Sequence, residues 1–74
     1  MQDDGLKNVL VFGGSGFIGT RLVARLSGEG QRVMSVDIKP PRVRLDGVVY
    51  LNSDVRDLSD FDPGTTIDRI YNLA

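Results

Sequence analysis

The sequence has no cysteine and no histidine among its 74 residues. Without cysteine there can be no disulfide, thiolate nucleophile or thiolate metal site, and without histidine the commonest remaining metal ligand is missing. We therefore predict no metal site. Disulfides are typical of proteins in oxidising compartments, and a chain without cysteine cannot form them. We therefore expect the protein to be located in the cytoplasm.

Long apolar runs and an excess of one charge are also missing. The longest apolar run, Val9 to Phe12, is far shorter than the roughly 20 residues that span a bilayer, and the acidic start, residues 1–4, is unlike the basic start of a signal peptide. Nine Lys and Arg against ten Asp and Glu give a net charge of -1, without the basic character of a nucleic-acid binder. We expect neither a membrane nor a nucleic acid as a partner.

The length allows one domain at most. Seventy-four residues lie below the most common size of a domain, so they have room for only part of a larger fold. We therefore expect residues 1–6 to form a flexible leader and residues 7–74 to form a partial domain at the front of a larger protein.

The alternation of apolar runs with turn residues predicts a parallel α/β sheet. The predicted elements are a strand at Lys7–Phe12, a helix from about Gly16 to Ser27, strands at Arg32–Asp37, Val48–Leu51 and Asp68–Leu73, and one or two helical turns at Val55–Phe61. Right-handed connections between these strands give the order 3-2-1-4 of a Rossmann-type doubly wound half.

The first helix has a predicted apolar face and a predicted stop. The face consists of Ile18, Leu22, Val23 and Leu26, which recur at helical spacing. Gly28 and Gly30 follow, and glycine closes a helix well because it adopts the left-handed conformation without a Cβ penalty.

A glycine-rich turn joins the first strand to this helix. Gly13 precedes Gly14, Gly16 and Gly19, which fit the G-x-G-x-x-G pattern. The first glycines allow a tight turn, Gly16 lets a pyrophosphate approach the backbone, and Gly19 lets the helix pack closely. Because the motif follows a strand and opens a helix, whose free N–H groups attract anions, we predict dinucleotide binding rather than a purely structural turn. Thr20 stands where a Walker A lysine would be, which argues against a nucleotide triphosphatase.

Acidic residues end the second and third predicted strands. Asp37 lies about 20 residues beyond the glycines, where a carboxylate meets the adenosine ribose, although a solvated strand-end Asp is the alternative. A carboxylate there repels a 2′-phosphate and favours NAD over NADP, while Lys39 could pair with such a phosphate. Asp54 and Val55 could read the adenine edge, or Asp54 could cap the following helix. Leu73 and Ala74 could line the cofactor or simply pack in the core.

Taken together, these segments resemble the extended short-chain dehydrogenase/reductase superfamily, specifically its NAD-dependent epimerase/dehydratase family. The resemblance rests on residues 11–19, Asp37, residues 53–57 and residues 70–74. It implies that the backbone N–H groups of Phe17 and Ile18 bind the pyrophosphate, with Asp37 on the ribose and Asp54 and Val55 on adenine. The full predicted cofactor-binding set is Gly13, Gly16, Phe17, Ile18, Gly19, Asp37, Ile38, Lys39, Asp54, Val55, Leu73 and Ala74.

The resemblance also implies an activity for the larger protein. Such proteins hold NAD tightly and use it to take a hydride from a sugar carbon and return it, as epimerases, dehydratases or decarboxylases of nucleotide sugars that form homodimers. The family's Tyr-x-x-x-Lys is missing, since Tyr50 has Asp54 at that offset and Tyr71 is followed only by residues 72–74. We therefore predict no catalytic residue in this chain and no activity for it alone.

Two alternatives to this function remain open. One is a non-catalytic or regulatory NAD(P)-binding protein of the same superfamily. The other is a flavin-binding Rossmann module, which the Asp54-Val55 pair disfavours.

Overall fold

The computed structural model describes residues 7–54 and 63–73. Its elements are β1 (Asn8–Phe12), α1 (Phe17–Gly28), β2 (Arg32–Asp37), β3 (Val49–Asn52) and β4 (Arg69–Asn72). Each end of the predicted strands lies within one residue of the observed end, and β2 matches its prediction at both ends. The predicted leader and the predicted helical turns at 55–61 lie outside the described residues.

The four strands form one parallel sheet in the order β3-β2-β1-β4, which confirms the predicted α/β fold. β1 is central, and all its residues except Asn8 are buried. A strand that is covered on both faces and flanked by two neighbours reads as a continuous apolar run, which is how it appears in the sequence. The carboxyl ends of β1, β2 and β3 therefore meet at one edge of the sheet.

Side chains alternate between two apolar clusters on opposite faces of the sheet. The cluster on the α1 face contains Val9, Val11, Val23, Leu26 and Val33. The cluster on the other face contains Leu10, Phe12 and Val36. Within residues 7–54 and 63–73, no helix lies over this second face, and no helix there is long and apolar enough to cross a membrane.

The buried face of α1 differs from its prediction at one position. Gly19, Val23 and Leu26 are buried, but Ile18 is 68% exposed. The first turn of α1 lies against the glycine-rich turn rather than over a strand, so no apolar sheet surface lies beneath Ile18.

The end of α1 is a Schellman motif. The N–H of Gly30 donates to the carbonyl of Ser27 at 3.0 Å, and the N–H of Gln31 donates to that of Leu26 at 3.1 Å. Gly30 adopts φ 83°, as predicted, but the same prediction for Gly28 is wrong. Gly28 is the last helical residue, because the motif needs only one left-handed position.

We expect the Val11→Ala substitution to lower the free energy of unfolding by about 2 to 3 kcal/mol, because it leaves a cavity at the centre of the sheet. Val11 has no exposed surface, whereas Val49 is 48% exposed. Val49→Ala is the matched control and should cost less than about 1 kcal/mol. Chemical denaturation measures both, and equal losses would contradict the central position of β1.

Candidate functional site

The glycine-rich turn, residues 13–16, leaves β1 at the edge where β1 and β2 both end. Gly13 starts it with φ 84°, a backbone conformation that side chains rarely adopt. Its N–H donates to the carbonyl of Val36 at 2.8 Å, which ties the turn to β2. The chain then reverses through residues 14–16 and enters α1 at Phe17.

Two of the glycines are required by contacts within the protein. A Cβ on Gly19 would overlap the carbonyl oxygen of Gly13 and come within 2.8 Å of the Gly14 Cα. A Cβ on Gly14 would overlap the hydroxyl of Ser35 and lie 3.0 Å from its Cβ. The helix can therefore approach the turn, and the turn can approach β2, only without side chains at these positions.

Gly16 is different, because nothing within the described residues requires it. A Cβ there would have only the carbonyl oxygen of Gly13 nearby, at 3.6 Å, an ordinary van der Waals contact. Gly16 is exposed, and its φ of -73° is open to any residue. Its missing side chain leaves the backbone accessible from outside, which is what a ligand lying against the turn needs.

The start of α1 offers unpaired backbone donors at the same place. No side chain caps Gly16, and the first turn carries no acidic residue. The N–H of Thr20 donates to the carbonyl of Gly16 at 2.8 Å, so the amides of residues 17–19 precede the first intrahelical bond. With the positive end of the helix dipole, they make this end of α1 suited to an anion.

Asp37 ties the turn to the end of β2. One carboxylate oxygen, Oδ2, accepts a hydrogen bond from the N–H of Ser15 at 3.0 Å, and the other, Oδ1, accepts one from the N–H of Lys39 at 3.0 Å. The residue is half-buried, so it is more than a solvated strand end. Each carboxylate oxygen can accept a further hydrogen bond, so the group can still bind a hydroxyl.

The remaining predicted residues lie along the same edge or outside the described part. The N–H of Leu73 donates to the carbonyl of Phe12 at 2.9 Å, which places Leu73 beside the start of the turn. Ile38 and Lys39 follow Asp37 directly and are exposed. The N–H of Ser53 donates to the Asp37 carbonyl at 3.1 Å, and the half-buried Asp54 comes next. Val55 and Ala74 lie outside the described residues.

Sequence reasoning missed several residues that support this edge. Ser35 on β2 is 2% exposed, and its hydroxyl has no hydrogen-bond partner among the described residues. Tyr50 and Asn52 on β3 bind the backbone that follows β2. A serine in the otherwise apolar run 33–36 was the one visible sign, whereas the two β3 side chains match no motif.

We expect Ser35→Ala to leave the free energy of unfolding unchanged or to raise it by about 1 kcal/mol. The substitution removes a buried hydroxyl that has no described partner, and such a group costs about 1 to 3 kcal/mol of desolvation. Thermal or chemical denaturation measures the difference. A loss of more than about 1 kcal/mol would mean that the hydroxyl is hydrogen-bonded.

Comparison with known proteins relates this chain to one family. The model of the NAD dependent epimerase/dehydratase family matches residues 9–74. The chain is 37% identical over 57 residues to human short-chain dehydrogenase/reductase family 42E member 1, covering 76% of this chain and 14% of that protein.

A solved structure is also similar. It is a short chain dehydrogenase from Leptospira borgpetersenii serovar Hardjo-bovis with bound NAD+, with a TM-score of 0.66 and 31% identity. The match covers 72% of this chain and 22% of that one. The chain therefore spans only a small part of the length of these relatives.

Proposed function

The chain belongs to the NAD dependent epimerase/dehydratase family, and we propose that residues 13–19 bind the pyrophosphate of NAD at the front of a nucleotide-sugar-converting enzyme. The observation that carries this proposal is the accessible backbone at Gly16 beside an uncapped helix end, because nothing within the described residues requires a glycine there. Phe17 and Ile18, the first two residues of α1, are exposed, so the described residues do not cover this end of the helix.

The adenosine half of NAD would then extend along the ends of β2 and β3. Asp37 has acceptor capacity for a ribose hydroxyl beyond its two backbone bonds. Asp54 and Val55 would bind adenine at the next strand end. Leu73 and Ala74 would line the path of the cofactor on the other side of β1, where Leu73 is bound to Phe12.

We also propose NAD rather than NADP as the cofactor. A 2′-phosphate on the ribose would face the Asp37 carboxylate, which both backbone bonds hold in place. The positively charged side chain of Lys39 is exposed and would favour NADP. The backbone N–H of Lys39, in contrast, donates to the Asp37 carboxylate. The Asp37 carboxylate is held in place by two bonds, whereas the Lys39 side chain is exposed, so we expect repulsion of the 2′-phosphate to prevail.

The larger protein would act on a nucleotide sugar as an epimerase, dehydratase or decarboxylase, in the cytoplasm and as a homodimer. Bound NAD supplies a reversible hydride acceptor. This chain's own residues would hold and orient the cofactor, while the residues that move protons and bind the sugar would come from outside it. A non-catalytic, NAD(P)-sensing protein is the alternative, and assays of the full-length protein with nucleotide sugars distinguish the two.

We expect Gly16→Ala to weaken NAD binding by about tenfold or more while changing the free energy of unfolding by less than about 1 kcal/mol. The added methyl group would displace a phosphate from backbone donors, and hydrogen bonds to charged groups contribute about 1.5 to 3 kcal/mol. Gly19→Ala is the contrasting variant, because its Cβ overlaps the protein itself and should reduce stability. Calorimetric titration and denaturation of the full-length protein separate the effects, and unchanged NAD affinity in Gly16→Ala would contradict the site.

We expect Asp37→Ala to weaken NAD binding by about tenfold to a hundredfold and to bring the NAD and NADP affinities closer together. The substitution removes a charge-assisted acceptor and the repulsion of a 2′-phosphate. Asp46→Ala, at an exposed acidic residue after β2, is the matched control and should bind NAD like the parent. A parent protein that prefers NADP by more than tenfold would refute the role given to Asp37.

A further inference from the structure

The connection from β2 to β3, residues 38–48, contains no helix, and all of its residues lie in the described part. We call this segment the crossover. It begins directly after Asp37, so its first residues border the proposed ribose site. Without helical hydrogen bonds of its own, its position depends on contacts with its neighbours.

The start of the crossover is held by two side chains. The N–H of Lys39 donates to Asp37 Oδ1 at 3.0 Å, and the Nδ2 group of Asn52 donates to the carbonyl of Ile38 at 3.3 Å. Both bonds lie within two residues of the end of β2, so they leave the later residues of the segment unfixed.

The later part is held by Tyr50. Its hydroxyl oxygen accepts a hydrogen bond from the N–H of Leu45 at 2.9 Å, and the hydroxyl donates to the carbonyl of Val43 at 3.2 Å. The Arg44 guanidinium carbon lies 5.4 Å from the centroid of the Tyr50 ring. One side chain therefore contacts three consecutive crossover residues, and its hydroxyl makes both backbone bonds.

Packing fixes only the later part of this segment, where Leu45 and Val48 lie against the cluster on the α1 face. Between the crossover and α1 lies an apolar cavity of about 150 Å³, bordered by Val23 and Ala24 of α1 and by Pro41 and Val43. Dense packing normally holds a loop in register, and here the space behind the crossover is open. The Tyr50 hydroxyl therefore makes a larger contribution than it would behind a filled core.

The crossover also walls a second, more polar cavity of about 100 Å³. Ser15 and Ser35 line it on the side of the glycine-rich turn, and Lys39 and Arg44 line it from the crossover. Ser15 is also a partner of Asp37, so this cavity adjoins the proposed ribose site. A shift of the crossover would move this wall and the Lys39 amide that holds the Asp37 carboxylate.

We propose that Tyr50 is a positioning residue for the adenosine side of the cofactor site, where its hydroxyl fixes the crossover that borders Asp37. This inference rests on the proposed NAD binding. Tyr50 also lines the polar cavity, and in this scheme it acts through the backbone of residues 43–45 rather than by binding the cofactor. Loss of its hydroxyl should therefore weaken the binding of ligands that contain adenosine, to the extent that the crossover becomes disordered.

The test compares Tyr50→Phe with Tyr71→Phe in the full-length protein. Tyr71 is the other tyrosine of this chain; it lies on β4, where it is paired with Val11 of β1, and it borders a separate cavity with Lys7 and Gln31. Both variants lose one hydroxyl and keep the ring. We expect Tyr50→Phe to weaken the binding of NAD, ADP-ribose and AMP by a common factor of about three to ten. This factor corresponds to the loss of one or two neutral hydrogen bonds. Tyr71→Phe should bind all three like the parent.

Hydrogen exchange of the ligand-free protein supplies a second readout. The amide of Leu45, which donates to the Tyr50 hydroxyl, should exchange faster in Tyr50→Phe than in the parent. Faster exchange with unchanged affinity for all three ligands would overturn the positioning role and leave a purely local structural one. A parent protein that fails to bind NAD would overturn the proposed function, and this inference with it. If the parent protein and Tyr50→Phe bind NAD with equal affinity, this inference is overturned and the proposed function is not.

Discussion

The two backbone hydrogen bonds to the Asp37 carboxylate connect the end of β2 to the glycine-rich turn, 22 residues away in sequence, and to the crossover that follows directly. The bond from Ser15 holds the glycine-rich turn, and the bond from Lys39 holds the start of the crossover, while Asp37 itself ends β2. A half-buried carboxylate with two N–H donors is a strong, geometrically defined acceptor. Together with the backbone bond from Gly13 to Val36, this carboxylate gives the sheet edge a defined shape, and any ligand at this edge meets a surface that is already organised.

Much of the fold follows from local pattern because the central strand has few options. A continuous apolar run that ends in closely spaced glycines has to be a covered strand followed by a tight turn, and β1 with its turn are found where the pattern indicates. Ile18 shows the limit of periodicity. Helical spacing predicts a buried side chain, but burial also requires a surface opposite, and the first turn of α1 faces the glycine-rich turn, not a strand.

The residues that support the site, such as Tyr50 and Ser35, could not be predicted from the sequence for a different reason. The bonds of Tyr50 to Val43 and Leu45 depend on how the crossover folds back, and no spacing rule specifies that path. Ser35 likewise takes its environment from Gly14, which lies on another element. Motifs predict the residues that a ligand would meet, because that chemistry is shared by many proteins. The residues that hold such a site in place depend on the path of each individual chain.

The bare end of α1 links helix stability to ligand chemistry. A serine or aspartate at the position of Gly16 would cap the helix and stabilise it by roughly a few tenths of a kcal/mol relative to glycine, and this chain forgoes that contribution. If a diphosphate is the missing cap, its oxygens take over the role of that side chain, and the folding of the first turn and the occupancy of the site become thermodynamically linked. The same backbone amides would then determine both how firmly the ligand is held and how far the helix frays without it.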